Sequence, residues 1–136
     1  MADAAFRSEP ARCILVVEDE YLIAMDLAES LERLGFEVVG PAGSIEEALW
    51  LIEKNGNRLT AALLDINVRN ERVYSVADAL SHRGIPFVFA SGYDAAAVPE
   101  RYVEIPRCAK PVSQADLARL LISGPVICTG RSKLSA

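Results

Sequence analysis

Four polar elements follow directly on apolar runs. Glu18-Asp19-Glu20 comes after Cys13-Ile14-Leu15-Val16-Val17, and Asp65 after Ala61-Ala62-Leu63-Leu64. Ser91 follows Phe87-Val88-Phe89-Ala90, and Lys110-Pro111 follows the short run Arg107 to Ala109. One charge at a strand end needs no explanation, because strands must end in something polar. A carboxylate cluster, a hydroxyl and an ammonium gathered at one edge of one sheet are harder to read as solvated surface. Carboxylates a few ångströms apart repel by on the order of 1 to 4 kcal/mol per pair. Bringing Asp19 and Asp65 together therefore asks for a cation, and an all-oxygen donor set in an open cleft favours Mg²⁺ over zinc. Lys110 would face the same acids and could hold a phosphoryl oxygen, with the Ser91 hydroxyl donating to another. Phosphoryl transfer needs mainly an in-line nucleophile, a metal and charge-neutralising donors. A carboxylate that attacks phosphorus becomes a mixed anhydride. The only histidine, His82, sits beside Gly84 near a helix end and reads as a capping or surface residue rather than a ligand.

The elements that would position these groups are legible from periodicity. Unbroken apolar runs mark strands covered on both faces, as in parallel sheets. Phe36 to Val39 and Arg107 to Ala109 are shorter strand candidates. Ile23, Leu27, Leu31 and Leu34 lie along one helical face that Gly35 stops. Ser44 with Glu47 forms a capping box ahead of Ile45, Ala48, Leu49 and Ile52, and Asn55-Gly56 ends that helix. Val73, Val76, Ala77 and Leu80 predict a third helix closing near Gly84. Ser113 with Asp116 caps a last one carrying Leu117, Leu120 and Leu121 before Gly124. Between Gly92 and Pro106 the pattern is irregular: Ala95 to Val98 could start a helix, but Pro99 and Pro106 leave room only for a short or mobile one. Strand and helix alternating five times predicts a doubly wound parallel sheet with right-handed crossovers and helices on both faces. Ligands of such sheets bind beyond the carboxyl ends of the strands.

Bulk properties fit one domain of this kind. The chain has 136 residues, of which 51% are hydrophobic, enough for a real core but too few for two domains. Residues 12–124 carry the structural signals, whereas 1–11 and 125–136 read as flexible ends. A net charge of −5 with no lysine or arginine block speaks against nucleic-acid binding. Three cysteines do not suggest a disulfide framework. Cys13 and Cys108 fall in apolar runs as small core residues, and Cys128 lies in the tail with nothing structured and cationic around it. The first twelve residues lack the apolar core of a signal peptide, and no stretch approaches the roughly 20 apolar residues of a membrane span. The expectation is a soluble protein of a reducing cytoplasm.

Val17-Glu18-Asp19-Glu20, Leu64-Asp65, Ala90-Ser91-Gly92 and Lys110-Pro111 together closely resemble the receiver domains of two-component response regulators. The match runs over about residues 12–124 with the motifs in family order. It implies a flavodoxin-like, CheY-like sheet of strand order 2-1-3-4-5. It also implies Asp65 as phosphoacceptor, Asp19 as a direct Mg²⁺ ligand, and Glu18 acting beside it through water. Asn67 would supply its backbone carbonyl to the metal. Lys110 would pair with the phosphoryl group, Ser91 would be the switching hydroxyl, and the Gly92 amide would point at phosphoryl oxygens. Ile85-Pro86-Phe87-Val88-Phe89-Ala90-Ser91-Gly92-Tyr93 resembles the receiver subgroup called FATGUY, with serine for its threonine. Val39-Gly40-Pro41-Ala42 and Val76-Ala77-Asp78-Ala79-Leu80 resemble the same subgroup, whose members are commonly stand-alone receivers or receivers joined to HWE-type sensor kinases. Arg107 occupies the position where many receivers carry an aromatic switch, leaving Tyr93 and Tyr102 as alternative switches or as ordinary packing. Arg69-Asn70-Glu71-Arg72 lacks the subgroup's glycines, and Val112 replaces a frequent phenylalanine as a packing change.

The resemblance implies a phosphoacceptor signalling protein, not an enzyme beyond self-phosphorylation and self-dephosphorylation. Its partners would be a sensor histidine kinase or phosphotransfer protein and a downstream protein, with a homodimer left open. A phosphate sink, or a receiver detached from a hybrid kinase, stays open; the Met1 start favours a whole protein. An aspartate-nucleophile hydrolase of the haloacid-dehalogenase type would want its nucleophile on the first strand and an aspartate two residues later, where this chain has Asn67. A flavin or dinucleotide binder would want a glycine-rich loop after strand one, where Glu18-Asp19-Glu20 would repel phosphates. About a dozen residues after the last helix leave no room for a DNA-binding output.

Overall fold

A computed structural model describes residues 12–92 and 98–122. The expectations for residues 1–11 and 125–136, for Cys128 and for Tyr93 lie outside those residues.

Five parallel strands form the sheet: β1 (Cys13–Val17), β2 (Glu37–Ala42), β3 (Ala61–Asp65), β6 (Phe87–Ser91) and β7 (Arg107–Ala109), in the order β2-β1-β3-β6-β7. This is the doubly wound 2-1-3-4-5 arrangement, with the strand order reversing beside β1. A separate two-stranded hairpin, β4 (Asn67–Val68) with β5 (Glu71–Arg72), stands between β3 and the next helix. Four α-helices are described: α1 (Tyr21–Arg33), α2 (Ile45–Asn55), α3 (Tyr74–His82) and α4 (Gln114–Leu121).

The unbroken apolar runs are strands because both of their faces are covered, and residue parity sorts the side chains into two layers. Cys13, Leu15, Val17, Ala62, Leu64, Phe87 and Phe89 pack with α2 and α3 residues such as Ala48, Ile52, Val76 and Leu80. Ile14, Val16, Ala61, Leu63, Val88, Ala90 and Cys108 pack with Leu27 and Leu31 of α1 and Leu117 and Leu120 of α4. Cys13 and Cys108 are buried free thiols, as their apolar neighbours in sequence predict. Burial raises the pKa of both, which keeps them protonated and unreactive.

Helix ends follow local chemistry. Gly35 and Gly84 take left-handed φ values of +97° and +71°. In both places the glycine N–H and the one after it fold back on the last turn: Gly35 to Glu32 and Phe36 to Leu31, Gly84 to Ser81 and Ile85 to Leu80. Ser44 Oγ accepts from Glu47 N–H at 3.1 Å and Ser113 Oγ from Asp116 N–H at 3.0 Å. The Glu47 carboxylate reaches one residue further back than an ordinary capping box and accepts from Gly43 N–H. Gly56 ends α2 in right-handed geometry instead; there a side chain would collide with the Arg83 guanidinium, 2.2 Å from where a Cβ would stand.

Three sequence expectations are modified. Ile23 and Leu49, read with the apolar faces of α1 and α2, are each 37% exposed; next to Ile23, Ala24 takes the buried place above Leu27 and Leu31. The alternation of strand and helix is interrupted by the β4–β5 hairpin. The helix expected from Ala95 falls mostly outside the described residues; before β7 the chain makes a single 3₁₀ turn, Glu100–Tyr102, opened by Pro99. Among the described residues, no helix is long and apolar enough to cross a membrane.

Candidate functional site

The carboxyl ends of β1, β3, β6 and β7 meet at one edge, set by register: Val17 pairs with Leu64, Asp65 with Ala90, and Ser91 with Ala109. Glu18, Asp19, Asp65, Ser91, Gly92 and Lys110 therefore arrive together without any of them being adjacent in more than one motif. Carboxylate oxygens of Glu18, Asp19 and Asp65 all lie within 4.8 Å of one another. Glu18 is 2% exposed and Asp65 6% exposed, so two of these acids are buried. Lys110 Nζ stands between them, 2.9 Å from Glu18 Oε1 and 3.2 Å from Asp65 Oδ2.

Backbone contacts fix the acids further. Glu18 Oε2 accepts from Glu20 N–H, and Asp65 Oδ1 from Asn67 N–H at 3.3 Å. Asp19 is exposed, and its Oδ2 accepts from Arg69 N–H at 2.9 Å. Glu18 Oε1, by contrast, meets the ammonium without hydrogen-bond alignment. Burial, and then the neighbouring Glu18 charge, push the Asp65 pKa up to about 6 despite the opposing pull of Lys110. Burial pulls Lys110 down, but its contacts with Glu18 and Asp65 outweigh that and leave its pKa raised. One ammonium thus serves two carboxylates with a third, Asp19, close by, and the site is short of positive charge.

Ser91, the last residue of β6, is buried, and its carbonyl accepts from Lys110 N–H at 3.0 Å. Gly92 comes next in the chain, exposed. The Lys110–Pro111 peptide bond is cis. Beside Lys110 a cleft of about 580 Å³ opens between α1 and the β7–α4 loop, lined by Leu22, Ile23, Asp26, Leu27, Pro111 and Val112.

The hairpin forms a wall of this edge where the sequence suggests a plain loop. Arg69 and Asn70, at φ +53° and +66°, are both left-handed and make its two-residue turn. Arg69 Nε donates to Gly43 O at 2.9 Å, and Arg72 Nη1 donates to Asn67 Oδ1 at 2.7 Å across the pair. Asn70 is the available signal, since asparagine tolerates left-handed backbone and Val68 and Val73 flank the turn.

Of the alternative-switch residues, Arg107 and Tyr102 are described. Arg107 opens β7 on the surface. Tyr102 is buried against Phe87, Phe89 and Tyr74, with ring centroids 5.6, 5.9 and 6.2 Å away. Its hydroxyl donates to Asp78 Oδ1 of α3, while Arg101 binds the same carboxylate with two bonds of 3.1 Å and lies over the Tyr102 ring. Nothing in the sequence singles out Asp78 for this contact. His82 closes α3 on the surface, away from the acids, as its place beside Gly84 suggests.

No protein-family model matches the chain. Among solved structures, SdrG from Sphingomonas melonis Fr1 is 41% identical and superposes with a TM-score of 0.72, over 82% of this chain and 93% of that one. Among curated proteins, the transcriptional regulatory protein PdtaR of Mycobacterium tuberculosis is 35% identical over 120 residues, 85% of this chain and 56% of its own. The phyllosphere-induced regulator PhyR of Methylorubrum extorquens is 33% identical over 116 residues, 79% of this chain and 41% of its own. The chain thus spans about half the length of these curated relatives. A match to nearly the whole of SdrG, on a sheet of this order with these strand ends, places the chain in the response-regulator receiver family of two-component systems.

Proposed function

We propose that Asp65 accepts a phosphoryl group from a sensor histidine kinase, of the HWE type, or from a phosphotransfer protein, in the cytoplasm. The protein then signals by phosphorylation-dependent binding to another protein and performs no chemistry on a substrate of its own. The observation that carries this reading is the Lys110 ammonium held between Glu18 and Asp65, with Asp19 completing a cluster that one cation cannot neutralise.

The donor set fits a hard divalent cation: three carboxylates with oxygens within 4.8 Å, one of them, Asp65, made reluctant to ionise by burial and then by the Glu18 charge. Asp19, Asp65 and the Asn67 carbonyl would hold Mg²⁺, with Glu18 acting through water. When bound, the ion supplies charge neutralisation for the phosphoryl oxygens and for the acids. The residues supply the rest. Asp65 is the nucleophile, its carboxylate oxygen forming the bond to phosphorus as the donor's bond breaks. Lys110 pairs with a phosphoryl oxygen, and Ser91 and the Gly92 amide donate to others. Tyr102, Arg107 and Tyr93 are the residues through which the change would travel outward.

Intact-mass spectrometry after incubation with acetyl phosphate and Mg²⁺ tests this. One adduct of about 80 Da is expected, absent without Mg²⁺ and absent in Asp65→Asn. An undiminished adduct in Asp65→Asn would remove Asp65 from the role.

A further inference from the structure

Arg69 stands in the turn of the hairpin at φ +53°, in the left-handed region that a side chain enters at a cost and a glycine enters freely. Its backbone and its side chain are both engaged. The backbone N–H donates to Asp19 Oδ2 at 2.9 Å, and Nε donates to the Gly43 carbonyl at 2.9 Å. Gly43 precedes the Ser44 cap of α2, and its own N–H donates to the Glu47 carboxylate. The guanidinium therefore ties the turn to the start of α2, while the amide of the same residue reaches the acid cluster. The strands behind the turn, Asn67–Val68 and Glu71–Arg72, are 2 residues each, too short a pair to hold it in place unaided. Asp19 for its part is exposed, and among the described residues the hydrogen-bond donor on its carboxylate is Arg69 N–H.

We infer that Arg69 is a positioning residue for the metal: it holds the Asp19 carboxylate in the orientation that accepts Mg²⁺. The inference rests on the reading of Glu18, Asp19 and Asp65 as a divalent-cation site. A carboxylate offers about four lone-pair positions, so the one that Arg69 N–H takes leaves the rest for a cation. What the contact removes is rotation of an exposed side chain, a freedom the ligand would otherwise give up on binding. Ligating carboxylates that are held by a hydrogen bond bind metal more tightly for that reason. The amide belongs to the backbone and survives substitution. Its position does not, because the guanidinium on Gly43 is what keeps the turn beside Asp19. The strained φ fits this division: glycine would make the turn more easily and would leave it unanchored.

Mg²⁺ is titrated into the unphosphorylated protein and its dissociation constant read from backbone amide NMR shifts, with urea melts of the metal-free protein alongside. Arg69→Gly relieves the left-handed strain and cuts the tie to Gly43. It should weaken Mg²⁺ binding roughly three- to tenfold, at the low end of what losing a ligand's supporting partner costs, and leave the metal-free urea midpoint where it is. Asn70→Gly relieves the neighbouring φ of +66° with the guanidinium in place, and should bind Mg²⁺ as the parent does. Arg69→Lys, which can still donate to the Gly43 carbonyl, should bind near the parental strength. Parental affinity in Arg69→Gly, equal weakening in Asn70→Gly, or a lysine variant as weak as the glycine one would each overturn the assignment. So would a metal-free midpoint that falls in step with the affinity. A parent chain whose acid cluster shows no shifts on adding Mg²⁺ would instead overturn the reading of that cluster as a cation site, and this one with it.

Discussion

Two aspartates of this chain are moved in opposite directions by their surroundings. Asp65 is buried, shares one ammonium with Glu18 while Asp19 stands beside them, and has its pKa pushed up to about 6. Asp78 lies on α3, half exposed, and receives two bonds from the Arg101 guanidinium and one from the Tyr102 hydroxyl. Burial nudges Asp78 up as well, but those donors overcome it and leave its pKa lowered. The residue type is the same; at Asp65 burial and the Glu18 charge prevail, whereas at Asp78 the Arg101 and Tyr102 donors outweigh burial. A cluster that satisfies itself stabilises the fold. A cluster left short of positive charge stores unfavourable energy that a bound cation can release, and that is where ligand chemistry is expected.

Removing the shared ammonium should give the largest effect. Lys110→Ala leaves Glu18 and Asp65 facing each other in a buried site, and in the absence of Mg²⁺ should lower the unfolding free energy by about 3 kcal/mol, read from urea melts. A variant as stable as the parent would dissolve the distinction between the two clusters.

The next effect concerns pH. Folding raises the Asp65 pKa from its ordinary 3.8 to about 6, so the folded state prefers the protonated acid. The stability tied to that proton is complete below 3.8 and is lost as pH rises through about 6. Metal-free protein should therefore weaken between pH 4 and 7 by roughly 1–3 kcal/mol from this group. Asp65→Asn should remove that slope and melt higher than the parent at pH 7.5, and Mg²⁺ should abolish most of the difference. Thermal melts across the range would show it, and a parent curve that rises with pH through this window would contradict it.

At the balanced cluster, Asp78→Ala strips the partner from a buried tyrosine hydroxyl and should cost about 1–2 kcal/mol. The lowered Asp78 pKa has the opposite linkage: its contribution is present at neutral pH and lost in acid. Smallest of all, Glu29→Ala removes an exposed helix pair with Arg33 at 3.2 Å and should change stability by less than about 0.5 kcal/mol.

Most of the fold can be read from residue order. Continuous apolar runs become strands because both faces are covered, and Gly35 and Gly84 end helices because each needs a left-handed φ. The strand-end acids, Ser91 and Lys110 can be gathered in advance because a parallel sheet with this order brings its carboxyl ends to one edge. The features that are not legible depend on partners distant in the chain. Asp78 meets Arg101 across 23 positions, and Arg69 meets Asp19 across 50; no periodicity announces either. The exposure of Ile23 has a related cause, since helical spacing marks a face but not how far up the sheet reaches. Gly56 ends its helix as the Asn55-Gly56 pair predicts, but in right-handed geometry that makes no demand on backbone handedness.

The parity of β3 and β6 has one more consequence. Asp65 continues the side of Ala61 and Leu63, the layer beneath α1 and α4, whereas Ser91 continues the side of Phe87 and Phe89, the layer beneath α2 and α3. The sheet thus works as a partition between two compartments, and the neighbouring ends of β3 and β6 open onto different ones. On the Ser91 side lies the aromatic packing of Phe87 and Phe89 with Tyr74 and Tyr102.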